Sequence, residues 1–156
     1  MTSLEDLYNQ QILELAADIP QSGRLEHPDA TATAHSKLCG STITVDLNMR
    51  DGRVTDYRQT VKACLLGQSS AAIMGRHVVG ASASELKDIA ARMRRMLKEG
   101  AAAPEAWSEL KLLEPVRTYK ARHASTMLVF DAVEDAIRQI EGRQIEGRRA
   151  AGAQSH

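Results

Sequence analysis

The spacing of apolar residues changes twice along the chain, and each change predicts a different kind of element. Ser3-Leu4-Glu5-Asp6 resembles a helix cap, and apolar residues recur at helical spacing from Leu4 up to Pro20. The apolar positions of this predicted helix are Leu4, Leu7, Ile12, Leu15 and Ile19. Residues 20–29 contain two prolines and a glycine and are typical of a loop.

A period of two replaces the helical spacing in the middle of the chain. Apolar and polar residues alternate from Ile43 to Met49, as in a strand with one buried face. The sequence Arg50-Asp51-Gly52-Arg53 predicts a hairpin turn, because Asp-Gly accommodates positive φ angles. The return strand is expected from Val54 to about Ala63, and alternating Ala and Thr predict a short strand over 30–34. Together these segments predict a small antiparallel sheet.

Helical spacing returns for the second half of the chain. We expect one helix from Leu65 to about Val79 and another from the capping box Ser82-Ala83-Ser84-Glu85 to Gly100. A short helix or turn is expected around Trp107, and the longest helix of this half begins at Ser125. The predicted fold class is α+β, a three-stranded antiparallel sheet packed with helices on one face.

The C-terminal residues repeat a short sequence. Arg-Gln-Ile-Glu-Gly-Arg at 138–143 is followed by Gln-Ile-Glu-Gly-Arg at 144–148, and the end is polar and rich in alanine. We therefore expect one folded domain over 1–141 and a flexible tail over 142–156. A binding function for the repeat is the alternative.

Composition narrows the function classes. The 156 residues suffice for one domain, and 20 acidic residues balance 20 basic ones, so no strong field attracts nucleic acid or an anionic membrane. Apolar stretches are too short to span a membrane, and the N-terminus does not resemble a signal peptide. Two cysteines are too few for a disulfide framework. A cytoplasmic protein with reduced thiols is expected.

Both cysteines lie at junctions where a thiol can be reactive. Cys64 closes the return strand and opens the next helix, so helix N–H groups and the helix dipole favour its thiolate. Cys39 precedes Gly40, whose conformational freedom lets backbone N–H groups approach a sulfur or its ligand. The alternative is that each cysteine is a small buried apolar residue. Two such junctions at strand ends of one sheet favour the functional interpretation.

His123 is the third candidate, just before the last long helix. A neutral imidazole at this place is a sound ligand for zinc or iron. The alternative, a solvent-exposed loop histidine, fits the residues equally well. His35, four residues before Cys39, is a weaker candidate, and His77 is expected to be a surface or packing residue.

These three segments, in this order, resemble the IscU/NifU/SufU family of iron–sulfur cluster scaffolds. The family pattern has a Cys-Gly-Asp turn, a Gly-Cys at a helix start and a third cysteine, often preceded by histidine. Cys39 and Cys64 match the first two cysteines and His123 matches the histidine. Ser41 replaces the aspartate, and Ala124 replaces the third cysteine.

The resemblance spans about 4–140 and is nearest to the SufU-like branch. The Leu-Pro-Pro-Val-Lys segment of the IscU branch, which serves a specialised Hsp70 chaperone, is replaced by Val-Arg-Thr-Tyr-Lys-Ala at 116–121. The resemblance implies a SufE/NifU-like fold and a scaffold or sulfur acceptor that is not an enzyme.

The same resemblance implies ligands and partners. Cys39 and Cys64 would accept sulfur from a cysteine desulfurase and, with His123, would bind iron or a transient [2Fe–2S] cluster, with zinc as the other candidate metal. Recipient apo iron–sulfur proteins are the other implied partners. We expect no nucleic acid or membrane partner, and a monomer or weak homodimer.

Two other functions stay open at this point. Cys39 and Cys64 could form a redox dithiol, although they do not form a Cys-x-x-Cys pair. The fold could also persist as a metal-free interaction module, which the replacements at Ser41 and Ala124 favour.

Overall fold

The computed structural model describes residues 9–38 and 40–154, with the backbone alone from 148 onwards. Three strands, β1 (Ala30–His35), β2 (Thr42–Arg50) and β3 (Arg53–Lys62), form an antiparallel sheet in the order β1-β2-β3. The hairpin between β2 and β3 turns through Asp51 at φ 53° and Gly52 at φ 77°, as the Asp-Gly pair predicts. The predicted pairing of the two long strands is confirmed.

One face of the sheet is apolar and covered by helices. Its inward side chains alternate with outward polar ones, as the period of two requires. The buried members of this face are Ala30, Ala32, Ile43, Val45, Leu47, Val54 and Tyr57. Helix α2 (Leu65–His77) packs on β3, and helix α4 (His123–Gln154) packs on β1 and β2. The predicted α+β architecture is confirmed.

The first described helix is shorter than predicted. Helix α1 (Gln10–Ala17) begins after Asn9, whose extended backbone and side-chain oxygen cap the helix by accepting the Ile12 N–H at 2.9 Å. A continuous helix from Leu4 is therefore wrong, since Asn9 interrupts the helical backbone. The predicted cap at residues 3–6 lies outside the described residues.

Helix α3 (Ala83–Glu99) has the predicted ends. The Ser82 hydroxyl accepts the Glu85 N–H at 3.1 Å, and Gly100 ends the helix at φ 74°. Two runs of 3₁₀ turns, Ser108–Thr118 and Lys120–Arg122, then lead into α4. They correspond to the short helix or turn expected after Trp107.

Helix α4 begins at His123, two residues earlier than predicted, and its backbone stays helical through both copies of the repeat to Gln154. Gln139 donates to the Thr31 carbonyl at 3.0 Å, and Arg143 donates to the Asp29 carbonyl, so the helix is fastened to β1 and the residue before it. The domain boundary at 141 and a flexible tail remain predictions.

The polar face of the sheet is fixed to the loop before β1 through Asp46. This buried carboxylate accepts hydrogen bonds from Arg24 at 2.7 and 3.1 Å, from the Leu25 N–H at 3.0 Å and from Thr31 at 2.6 Å. Burial raises the pKa of Asp46, but the hydrogen bonds from Arg24, Thr31 and Leu25 outweigh it, so the pKa lies below its ordinary value. No helix in the described part of the chain is long and apolar enough to cross a membrane.

Candidate functional site

The loop between β1 and β2 is a tight turn closed by its own backbone. The Ser36 N–H donates to the Ser41 carbonyl at 2.8 Å, and the Gly40 N–H donates to the Ser36 carbonyl at 2.9 Å. Gly40 has φ 69°, a left-handed conformation that explains the glycine. Leu38 is 79 % exposed at the tip. Cys39, the first candidate ligand, lies outside the described residues.

Cys64 lies at the N-cap of α2, directly after β3. Its backbone is extended, at φ −66° and ψ 171°, and its half-buried thiol makes no capping hydrogen bond. The N–H groups of the first helical turn, together with the helix dipole, favour a negative charge at this place. The predicted strand-to-helix junction is confirmed.

A hydrogen bond joins the two cysteine-bearing segments. The Cys64 N–H donates to the Ser41 hydroxyl at 3.2 Å, and Ser41 is only 3 % exposed. The sequence pattern showed Ser41 only as a replacement for the family's aspartate and did not reveal this contact. Periodicity reports which side chains are buried, whereas this bond depends on two loops meeting in space.

The start of α4 lies against the start of α2. At Gly67, in the first turn of α2, an added Cβ would be 2.8 Å from the Ala63 Cβ and 3.2 Å from the Ser125 carbonyl oxygen. Only glycine permits so close an approach. The fold therefore brings the segment of Ala124 to the segment of Cys64.

One ring nitrogen of His123 makes hydrogen bonds to the backbone of the preceding turns. Its Nε2 lies 3.0 Å from the carbonyl oxygens of both Val116 and Arg117. Since carbonyls only accept, Nε2 carries a proton and donates to them, which leaves Nδ1 as the nitrogen with a lone pair. His123 is half-buried, not a solvent-exposed loop residue.

His123 and Ala124 also line a groove of about 350 Å³ between α3 and α4. Its other lining residues are Arg94, Leu97, Lys98, Lys120, Met127 and Asp131. Cys64 is not among them, so His123 borders a surface that Cys64 does not line.

The described residues do not supply a complete metal site. Among the described residues, which do not include Cys39, no group of three or more His, Cys, Asp or Glu side chains is placed to hold a metal ion. A structural zinc site takes four ligands. The predicted set of Cys39, Cys64 and His123 remains untested, because Cys39 lies outside the described residues.

His35 and His77 each have a local partner. His35 Nδ1 lies 3.0 Å from the Thr42 hydroxyl. His77 stacks on Trp107, and its Nε2 lies 2.8 Å from a Glu109 carboxylate oxygen. Burial raises the pKa of Glu109, but the hydrogen bond from His77 and other contacts lower it overall. His77 is thus a packing residue, as expected.

Comparison with known proteins agrees with this arrangement. The family model described as NifU-like N terminal domain matches residues 7–146. The chain belongs to this family. A crystal structure of a nitrogen-fixing NifU-like protein (N-terminal) from Brucella abortus is 58 % identical to this NifU-like domain. It superposes with a TM-score of 0.88 and covers 89 % of this chain and 97 % of its own.

Two further proteins are similar over most of the NifU-like domain. The iron–sulfur cluster assembly scaffold protein IscU of Thermotoga maritima is 25 % identical over 136 residues, which are 86 % of this chain and 94 % of that protein. A putative scaffold protein for the SUF system from Fervidobacterium islandicum is 17 % identical, with a TM-score of 0.78. It covers 86 % of this chain and 98 % of its own, and it supports the fold alone.

Proposed function

We propose that this NifU-like domain receives sulfur from a cysteine desulfurase and carries iron or a nascent [2Fe–2S] cluster as cargo through Cys39 and Cys64. The main supporting observation is the bond from the Cys64 N–H to Ser41, which fastens the loop of the first cysteine to the N-cap of the second. Family membership supports the scaffold class, since a relative is named as an iron–sulfur cluster assembly scaffold. The domain acts as a carrier, not as an enzyme.

Sulfur acceptance would use the thiolate of either cysteine. The thiolate attacks the terminal sulfur of a persulfide on the donor, a new S–S bond forms, and the donor cysteine leaves as a thiolate. No net oxidant or reductant is needed for this transfer. Reduction of the bound sulfane sulfur to sulfide takes two electrons, which a small dithiol supplies in an assay.

Cargo would be held with fewer protein ligands than in relatives that keep the full motif. Cys39 and Cys64 provide two thiolates, and Nδ1 of His123 is the third candidate donor. A [2Fe–2S] cluster takes four ligands, so small thiols or a recipient apo protein complete the set. Ala124 cannot supply a thiolate ligand. With one protein ligand fewer, the cluster is transferred readily, and zinc binds weakly.

The exposed Leu38 supports a protein partner at this site. It is the residue before Cys39 and is 79 % exposed in the loop between β1 and β2. An apolar side chain beside an acceptor thiol suits contact with a desulfurase or a recipient protein. A metal-free interaction module is the second candidate function, favoured by Ser41 and Ala124 at the positions of two family ligands.

Anaerobic reconstitution with ferrous iron, sulfide and a small thiol tests the proposal. The wild type should form a short-lived cluster, measured by visible absorbance and by iron and sulfide per chain. Cys64→Ser should lower the yield about tenfold or more, since even outer-sphere changes cost metal sites 10–100-fold. Ala124→Cys should lengthen cluster lifetime by a similar factor, because it adds a thiolate at a helix start.

Ala91→Cys, on the exposed face of α3, is the matched control for an added thiol. It should leave cluster lifetime unchanged. Absence of a cluster in the wild type, with no gain in Ala124→Cys, would reject the carrier function and favour the interaction module.

A further inference from the structure

Ser41 occupies the position of the family's aspartate, but its surroundings differ from those of a metal ligand. The side chain is 3 % exposed, and its oxygen accepts the Cys64 N–H at 3.2 Å. A neutral hydroxyl is a weak metal donor, whereas it is a good acceptor for a backbone N–H. The contact therefore suits a residue that holds other groups in place.

The backbone of Ser41 is fixed on both sides. Its carbonyl accepts the Ser36 N–H at 2.8 Å, which closes the loop between β1 and β2. The next residue, Thr42, begins β2 and pairs with Lys62 at the end of β3. Lys62 is two residues before Cys64, so Ser41 lies where the loop, the sheet and the N-cap of α2 meet.

The hydroxyl of Ser41 adds the direct link between these segments. It joins positions 23 residues apart in sequence, and the N–H that it accepts belongs to the N-cap residue itself. Loss of the hydroxyl would leave this partly buried N–H without its acceptor. The loop could then move relative to α2 without breaking the ladder of the sheet.

We propose that Ser41 is a positioning residue, whose hydroxyl holds the loop that contains Cys39 against the N-cap of α2, so that both thiols act on one sulfur or metal. The inference rests on the proposed function, since it requires that Cys39 and Cys64 act together. Ser41 fastens the two segments through a neutral hydroxyl, without a charged side chain.

Phenylarsine oxide tests this proposal, because arsenic in this probe binds tightly only to two neighbouring thiols. The wild type should bind it, and Cys39→Ser should not. Ser41→Ala should weaken binding about tenfold, as expected for the loss of one hydrogen bond. Ser41→Thr, which restores a hydroxyl at the same atom, should recover most of the affinity.

Ser69→Ala is the matched control. Ser69 is also fully buried on α2, and its hydroxyl donates to the carbonyls of Leu65 at 2.8 Å and Ile12 at 3.1 Å. This variant should lose stability in urea but keep the arsenical affinity, so affinity separates positioning from general destabilisation. Monofunctional alkylation of Cys64 should proceed similarly in all variants.

The outcomes separate the inference from the function on which it rests. If the wild type does not bind the arsenical, the thiols do not act together, and both proposals fail. If the wild type binds and Ser41→Ala matches Ser69→Ala, the positioning function of Ser41 is wrong while the two-cysteine site stands. Failure of Ser41→Thr to recover affinity, in a variant that unfolds like the wild type, would also overturn it.

Discussion

The two ring nitrogens of His123 have different surroundings, so one side chain can serve both the fold and a metal. Nε2 donates to the carbonyls of Val116 and Arg117, which fixes the end of the 3₁₀ run Ser108–Thr118 to the start of α4. Nδ1 remains the only nitrogen that can coordinate. The two contributions are separable by substitution, because glutamine can replace the donor without replacing the ligand.

We predict that His123→Gln keeps the fold but shortens the lifetime of a reconstituted cluster, whereas His123→Ala impairs both. The amide of glutamine can still donate to the two carbonyls, so its free energy of unfolding in urea should stay within about 1 kcal/mol of the wild type. His123→Ala should lose about 1–3 kcal/mol, because buried acceptors lose their partner. A wild-type cluster lifetime in His123→Gln would remove His123 from the ligand set.

Helices α2 and α4 meet at Gly67 without a side chain between them, close to the N-cap residue Cys64. Gly67 permits it, since an added methyl would lie 2.8 Å from Ala63 and 3.2 Å from the Ser125 carbonyl. The apolar spacing predicted both helices but not their closest point. A glycine in a helix usually lowers helix stability, so its cost here is offset by packing.

We predict that Gly67→Ala destabilises the domain by about 1–3 kcal/mol in urea, because overpacking outweighs the gain in helix propensity. Gly142→Ala is the control, since Gly142 lies in α4 with nothing within 4 Å of an added Cβ. It should be neutral or stabilising by up to about 1 kcal/mol. Equal stabilisation in both variants would show that α2 and α4 are not in tight contact.

Much of the whole molecule was predictable, because its sheet and helices have strong local signals. The Asp-Gly turn, the Ser82 cap and the alternation over β2 each use contacts within a few residues, and all three are confirmed. The start of α1 was wrong because a competing cap, Asn9, lies inside a helical apolar pattern.

The site was predictable in its parts but not in its connections. Sequence order and the family pattern predict Cys39, Cys64 and His123 as ligands, which stays a prediction, whereas the junction at Cys64 is confirmed. The contact of Ser41 with Cys64 and the hydrogen bonds of His123 Nε2 were not predicted. Both depend on how a loop or an irregular turn is folded, and no periodicity encodes them.

We propose above that Cys39 and Cys64 accept sulfur and hold iron or a nascent cluster. The most direct measurement follows sulfur itself, with a cysteine desulfurase, free cysteine and no iron. Peptides containing Cys39 and Cys64 are then analysed by mass spectrometry after alkylation. A scaffold already known to accept sulfur from the same desulfurase serves as the positive control.

We predict that the peptide of Cys39 or of Cys64 gains the mass of one sulfur atom, and that dithiol reduction removes it. The double variant Cys39→Ser, Cys64→Ser should gain none while still unfolding in urea like the wild type. If the control scaffold becomes loaded but sulfur stays on the desulfurase in the presence of the wild-type domain, the proposed sulfur acceptance is wrong.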